Sequence, residues 1–315
     1  MEFFKQNTSI NFMGQRKYAA IFSLILFVVS ISSIYFNGMK WGLDFTGGTQ
    51  IELHYPQSAN LPQIREQLEE AGFKDAVVKT YGSTRDVQVS FQPTTLASAD
   101  AASKDHADDN KKIAVRVQQV LGAEVSQVNY IGPQVGEELV SKGILALVVS
   151  LVATMIYIAM RFEFRFAISS TLALVHDPVL ILGVFSFFHI EFDLIALVAL
   201  LTVIGYSLND TVVVFDRVRE TFRKVRGGTP VEIMNLSINQ TLSRTIMTSM
   251  LTLLAIISLY LFGGPVLHGF SVAFLVGILV GTYSSIYVAG ALALVFGLKR
   301  EDLLPTPKEE IDEMP

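Results

Sequence analysis

The residues best placed to do chemistry are Asn209 and Asp210, which interrupt the apolar stretch 200–215. A charged side chain in hydrocarbon costs roughly 2.5–3.5 kcal/mol on insertion scales, so an intramembrane acid is by default a group that handles protons or ions. Counting 1.5 Å per residue back from Arg217 places Asp210 on the order of 10 Å inside the basic end of its helix. Ser207 at i−3 and Tyr206 at i−4 share its face and bring hydroxyls to it. The competing reading is a frayed helix end at which headgroup water wets Asp210. Val212, Val213, Val214 and Phe215 argue against it, because they separate Asp210 from the next charge, Asp216.

Arg244 opens another apolar run, directly after Thr241-Leu242-Ser243. It enters from the membrane face by which the Asp210 helix leaves, so the two charges fall at similar depth. A neighbouring guanidinium favours the ionised carboxylate and burial favours the neutral acid. A pair that separates and re-forms therefore ties proton affinity to conformation. Snorkelling of Arg244 to the interface is the alternative. His176-Asp177-Pro178 lies halfway along a third run and holds the deepest acid of the chain. Pro178 leaves a carbonyl one turn back without its amide partner. Asp177 then has either a structural role at a kink or a place in a proton wire. Glu191 and Asp193 read as topology or helix-capping residues. Gly269, Ala273, Gly277, Gly281, Ser285 and Ala289 recur every four residues, a ribbon of small side chains suited to helix packing.

These groups need membrane helices to hold them. The chain has 315 residues, 51% of them hydrophobic, with a mean hydropathy of +0.45. Six apolar runs, 18–36, 143–160, 166–188, 192–215, 244–262 and 270–298, are long enough to span the roughly 30 Å hydrocarbon core. The first lacks a small-residue cleavage site and is expected to stay as an uncleaved span. Lys5, Arg16, Lys17, Arg161, Arg165, the basic segment 216–243, Lys299 and Arg300 all fall on one side, whereas the loops 188–191 and 263–268 hold no Lys or Arg. The positive-inside rule then puts residues 1–17, 216–243 and 299–315 in the cytoplasm and 39–135 outside.

The outer segment alternates like a strand over 50–55 and has helical periodicity over 61–71, ending at Gly72. A hairpin over 76–81 and 86–91 turns at 82–85. A helix over 111–121 and a strand over 124–131 complete the order βαββαβ, which predicts a small α+β, ferredoxin-like domain between the first two spans of an α-helical polytopic membrane protein. Residues 92–109 read as a mobile loop and 305–315 as a disordered acidic tail. Gly47-Gly48 has no basic residue after it and reads as a turn into the domain, not a phosphate loop. With no cysteine, disulfides and thiolate metal sites are excluded. The net charge of −5 gives no nucleic-acid face, and no Walker, HExxH or GxSxG pattern occurs, so neither an enzyme nor a cofactor is expected.

Four segments form a signature: Trp41-Gly42-Leu43-Asp44-Phe45-Thr46-Gly47-Gly48-Thr49, Gly132-Pro133-Gln134-Val135-Gly136-Glu137-Glu138-Leu139, Val175-His176-Asp177-Pro178, and Gly205-Tyr206-Ser207-Leu208-Asn209-Asp210-Thr211 continuing to Arg217. In order and over nearly the whole chain, they resemble the SecD/SecF family of bacterial protein-export membrane subunits, relatives of the resistance-nodulation-division transporters. The resemblance implies an accessory subunit of the Sec translocase in the cell inner membrane, with its soluble domain in the periplasm. It implies pairing with SecD, association with YajC and the SecYEG channel, and use of the proton-motive force to promote translocation and release of preproteins. It also implies proton transport by Asp210 and Arg244, with Asn209 in the same motif and an acid of the partner subunit completing the site. Asp177 and Ser207 join this set by position. The rival functions are a proton-coupled exporter of small molecules or lipids and a passive scaffold for partner subunits.

Overall fold

The computed structural model describes residues 9–73, 76–81, 83–91, 106–225 and 227–298. Among the described residues, six helices are long and apolar enough to cross a membrane: Met13–Asn37, Pro133–Arg161, Phe164–Phe187, Leu194–Lys224, Pro230–Phe262 and Pro265–Val295, here spans one to six. The chain is thus a multi-pass helical membrane protein with one small sheet-containing domain between spans one and two.

Spans two, four and five outrun the apolar runs that predict them. Span two begins at Pro133, where a missing amide costs nothing because first-turn amides have no intrahelical partner. Span four continues to Lys224, and span five starts at Pro230 behind a capping box in which Thr229 and Glu232 satisfy each other's amides. The segment 216–243 is therefore no independent loop or helix: most of it is the basic ends of two spans, joined by Arg217 Nε donating to Gln240 Oε1 at 2.7 Å. Hydropathy ends a run at its first charges, whereas a helix continues while its backbone bonds do.

In the soluble domain, β1 (Lys40–Trp41) and α1 (Leu43–Thr46) lead into β2 (Gly48–His54), α2 (Leu61–Glu70), β3 (Val77–Tyr81), β4 (Ser83–Phe91), α3 (His106–Leu121) and β5 (Glu124–Ile131). Every neighbour in the sheet order β3-β4-β2-β5 is antiparallel, the arrangement of two interleaved βαβ units. Alternation along β4 buries Val87, Val89 and Phe91 against Ile64 and Leu68 of α2 and Val117 of α3. The hairpin is tighter than expected, since β4 begins at Ser83, opposite Tyr81. Helix α3 starts at His106, earlier than its periodicity indicated, and residues 92–105 and 299–315 lie outside the described residues. Gly47 (φ +70°) and Gly48 (φ +139°) make the turn into β2, and a Cβ at Gly48 would lie 2.2 Å from the Phe91 carbonyl oxygen. Only glycine fits there.

No residue pattern marks β6 (Glu191–Phe192), which pairs in parallel with β1 between spans three and four. Spans three, four and six form the interior, and spans one, two and five surround it with mostly exposed apolar surface. Two apolar layers fill the bundle. One contains Ala173, Val214, Leu242 and Ile286, and the other Ile181, Val203, Ile256 and Ile278. Between these positions on the same four spans lie the buried polar residues His176, Asp177, Ser207, Asp210, Thr245, Ser249, Ser284 and Ser285. The bundle is thus apolar at both ends with a polar band between.

Candidate proton-coupling site

Asp210 is 2% exposed, on the inner face of span four, with the Ser249 hydroxyl within reach and the Arg244 charge acting on it. Its Oδ2 has no hydrogen-bond partner among the described residues, and neither has the buried Thr245 Oγ1 on span five. Ser249 Oγ also pairs with Thr282 Oγ1 of span six at 2.9 Å. A buried carboxylate oxygen without a donor is costly when ionised and comfortable when protonated. The pocket therefore suits a carboxyl that takes up and releases a proton.

The sequence-derived site residues do not all gather here. Arg244 is exposed and makes no ion pair with Asp210 among the described residues, which is the separated form of the pair whose separation and re-forming the sequence suggested. Asn209 is also exposed, turned away from the buried carboxylate by the 100° step of the helix. Ser207 and Tyr206 were expected to serve Asp210. Instead, Ser207 Oγ donates to Asp177 Oδ2 of span three at 2.6 Å, and Tyr206 Oη donates to Thr252 Oγ1 of span five at 3.4 Å. Both hydroxyls follow the nearest facing helix, which a single-helix projection cannot locate.

Asp177 is fully buried and has a second partner, His176, whose Nδ1 lies 3.1 Å from Asp177 Oδ1. His176 Nε2 meets Ser23 Oγ of span one at 2.7 Å, and its ring stacks on Phe27. The two side chains thus link spans one, three and four. The helix runs unbroken through Pro178. Sequence reasoning missed Ser23, Thr245, Ser249 and Thr282. The signal was present in the four-residue recurrence of Thr241, Thr245 and Ser249, a polar stripe inside an apolar span.

At the N-terminal end of span four, Asp193 Oδ1 accepts from the Ala196 amide at 2.8 Å, capping the helix as anticipated. Asp44 Oδ2 accepts from the Leu194 amide at 3.0 Å, so a residue of α1 completes that cap. Glu191 has a different partner from the one its position suggested: it pairs with Lys79 of β3 at 2.7 Å. The small-residue ribbon packs on span four. A Cβ at Gly277 would lie 2.5 Å from Val203 and one at Gly281 3.1 Å from Ser207, while Ala273 is fully buried and Gly269 faces Ala196. The ribbon runs straight only to Gly281, because Ser284–Ala289 is a π-helical turn that changes the helix phase.

Fold and site together define a class: a six-span membrane protein with a buried polar band, an unpaired acid inside it and a small domain on one face. The family profile for protein export membrane protein SecD/SecF, C-terminal, matches residues 111–299, and that for the SecD/SecF GG motif matches residues 32–59. The chain belongs to the SecD/SecF family and is a protein-translocase subunit, not an enzyme. It is 46% identical to the protein translocase subunit SecF of Vibrio alginolyticus, covering 99% of this chain and 98% of that one. It is 47% identical to SecF of Pseudomonas aeruginosa, with 98% of each covered. A crystal structure of SecDF, a translocon-associated membrane protein from Thermus thermophilus, superposes with a TM-score of 0.79 at 37% identity, covering 93% of this chain. This chain spans 39% of that longer one.

Proposed function

We propose that this subunit, paired with SecD in the bacterial inner membrane, couples proton movement down the proton-motive force to preprotein translocation and release on the periplasmic side. The observation that carries the reading is Asp210: a buried carboxyl with one unpartnered oxygen, flanked by the exposed Asn209 and Arg244. An open Asp210–Arg244 pair is one state of a switch. Closing it would hold the carboxylate ionised, and opening it would favour the neutral acid. The exposed sides of spans four and five leave room for an acid of SecD to complete the path. Both termini are cytoplasmic, and SecYEG and YajC are the further partners. One charge crossing 100 mV supplies about 2.3 kcal/mol, enough to shift a two-state equilibrium roughly 50-fold.

In vesicles containing the whole translocase, Asp210→Asn is expected to assemble normally and to lose the gradient-dependent stimulation of export. Arg244→Ala is expected to lose most of it. Undiminished gradient dependence in Asp210→Asn would overturn the reading and leave a passive scaffold.

A further inference from the structure

We propose that His176 and Asp177 form a second proton station, coupled to Asp210 through Ser207 and joined to span one through Ser23. The inference rests on the reading of Asp210 as the proton-coupling acid and extends it to four groups that this reading leaves unused.

The geometry is a chain of four buried side chains: Ser23 Oγ to His176 Nε2 at 2.7 Å, His176 Nδ1 to Asp177 Oδ1 at 3.1 Å, and Ser207 Oγ to Asp177 Oδ2 at 2.6 Å. All four are under 9% exposed. With Asp177 ionised, both its oxygens are acceptors, so Nδ1 carries the proton of that pair and Nε2 is left to accept from the Ser23 hydroxyl. A proton reaching Nε2 makes an imidazolium. Passage of the Nδ1 proton to Asp177 then leaves a neutral imidazole and a neutral carboxylic acid. One proton is stored and no other bond changes. The Phe27 ring, parallel to the imidazole with centroids 6.0 Å apart, steadies the cationic intermediate.

Protonation changes who donates. A neutral Asp177 no longer needs two donors, and the Ser207 hydroxyl is freed to turn along span four, where Asp210 lies one turn away on the same face. A protonated Nε2 becomes a donor, so Ser23 must reverse its own hydrogen bond. Gain of one proton therefore alters the contacts of span three with both span one and span four.

The charged groups of the elements packed on span three do not compete for this role. On span one, Arg16 and Lys17 lie at the basic end, and span two carries its charges at its two ends. Span four supplies Asp210. Span six supplies Tyr283 and Tyr287, and Tyr283 Oη is already committed to the Ala19 carbonyl at 2.7 Å.

The test uses the full chain assembled with SecD, with pH-difference infrared spectra of the carboxyl bands and proton flux in proteoliposomes. Two carboxyl bands are expected, one lost in Asp177→Asn and the other in Asp210→Asn. In Asp177→Asn the midpoint of the remaining band is expected to move by about one pH unit, the signature of coupled sites. Ser207→Ala should keep both bands while each titrates independently, and His176→Gln should slow flux at least about tenfold. Unchanged flux in His176→Gln, together with an unmoved Asp210 midpoint in Asp177→Asn, would overturn the second station and leave the proposed function intact. Unchanged flux in Asp210→Asn would instead overturn the proposed function. Ser207→Ala, which removes only an oxygen, keeps the result readable if Asp177→Asn fails to fold.

Discussion

At the residue scale, the membrane part is organised by where its polar atoms find partners. Span one buries Ser23, Ser30 and Ser33 and turns its large apolar side chains outward. Its polarity is inside out relative to a helix of a soluble bundle. Those serines sit on span three: Ser33 bonds to Ser186 at 3.1 Å, Ser186 reaches the Gly38 carbonyl at 2.7 Å, and Ser30 fills the gap at Gly183. The N-terminal end of span four depends on carboxylates, because its first amides have no intrahelical acceptors. Asp193→Ala is expected to destabilise the protein by about 1 kcal/mol, and Asp193→Asn, an equally good cap, by much less. Unfolding midpoints in detergent, compared at one pH, check this order.

At the element scale, spans four and six are held by absence of side chains. Val203 is β-branched and stiff, so it cannot move aside for a methyl group at Gly277. Gly277→Ala is expected to cost about 1–3 kcal/mol as an overpacked contact. Gly269→Ala, whose added carbon would meet its neighbours at 3.5 Å or more, is expected to be neutral. The same unfolding measurement distinguishes the two, and equal effects would mean that the ribbon is not the packing face. Past Gly281, the π-helical turn at Ser284–Ala289 lets the consecutive Ser284 and Ser285 both face inward. Single π-turns of this kind occur often at functional sites, and this one packs on spans three and four beside the polar band.

At the scale of the whole molecule, the sheet-containing domain is docked on the end of the bundle where spans three and four are joined. The β1–β6 pairing, the Asp44 cap and the Lys79–Glu191 ion pair make that junction, next to a cavity of about 430 Å³ bounded by Lys40, Arg65, Tyr260 and His268. Lys79 and Glu191 are mostly shielded from solvent, so their pairing is screened less than a surface bridge. Lys79→Glu is expected to loosen the docking and the swap Lys79→Glu/Glu191→Lys to restore it. Because the chain has no cysteine, bismaleimide cross-linking of cysteines introduced at Val77 and Val266 reads the docking directly. Cross-linking that stays unchanged in Lys79→Glu would show that the pair does not hold the domain.

The sequence by itself determined what one strand or one helix can report: six spans, the βαββαβ succession, the Gly47-Gly48 turn, the Asp193 cap, and acids at Asp177 and Asp210 that hydrocarbon would not accept without a use. Periodicity and transfer cost are local properties, legible without neighbours. Which helix faces which is not local, and the tertiary structure decided everything that depends on it. It gave Ser207 to Asp177 and not to Asp210, left Arg244 and Asn209 exposed, joined β6 to β1, and paired Glu191 with Lys79. A hydroxyl or carboxylate bonds to the nearest donor in space, and across a bundle that donor comes from another span. Asp210 is conspicuous in the sequence as an acid without a partner. Packing shows what surrounds it: the Ser249 hydroxyl within reach of one oxygen, no partner for the other among the described residues, and the His176–Asp177 pair joined to its helix through Ser207.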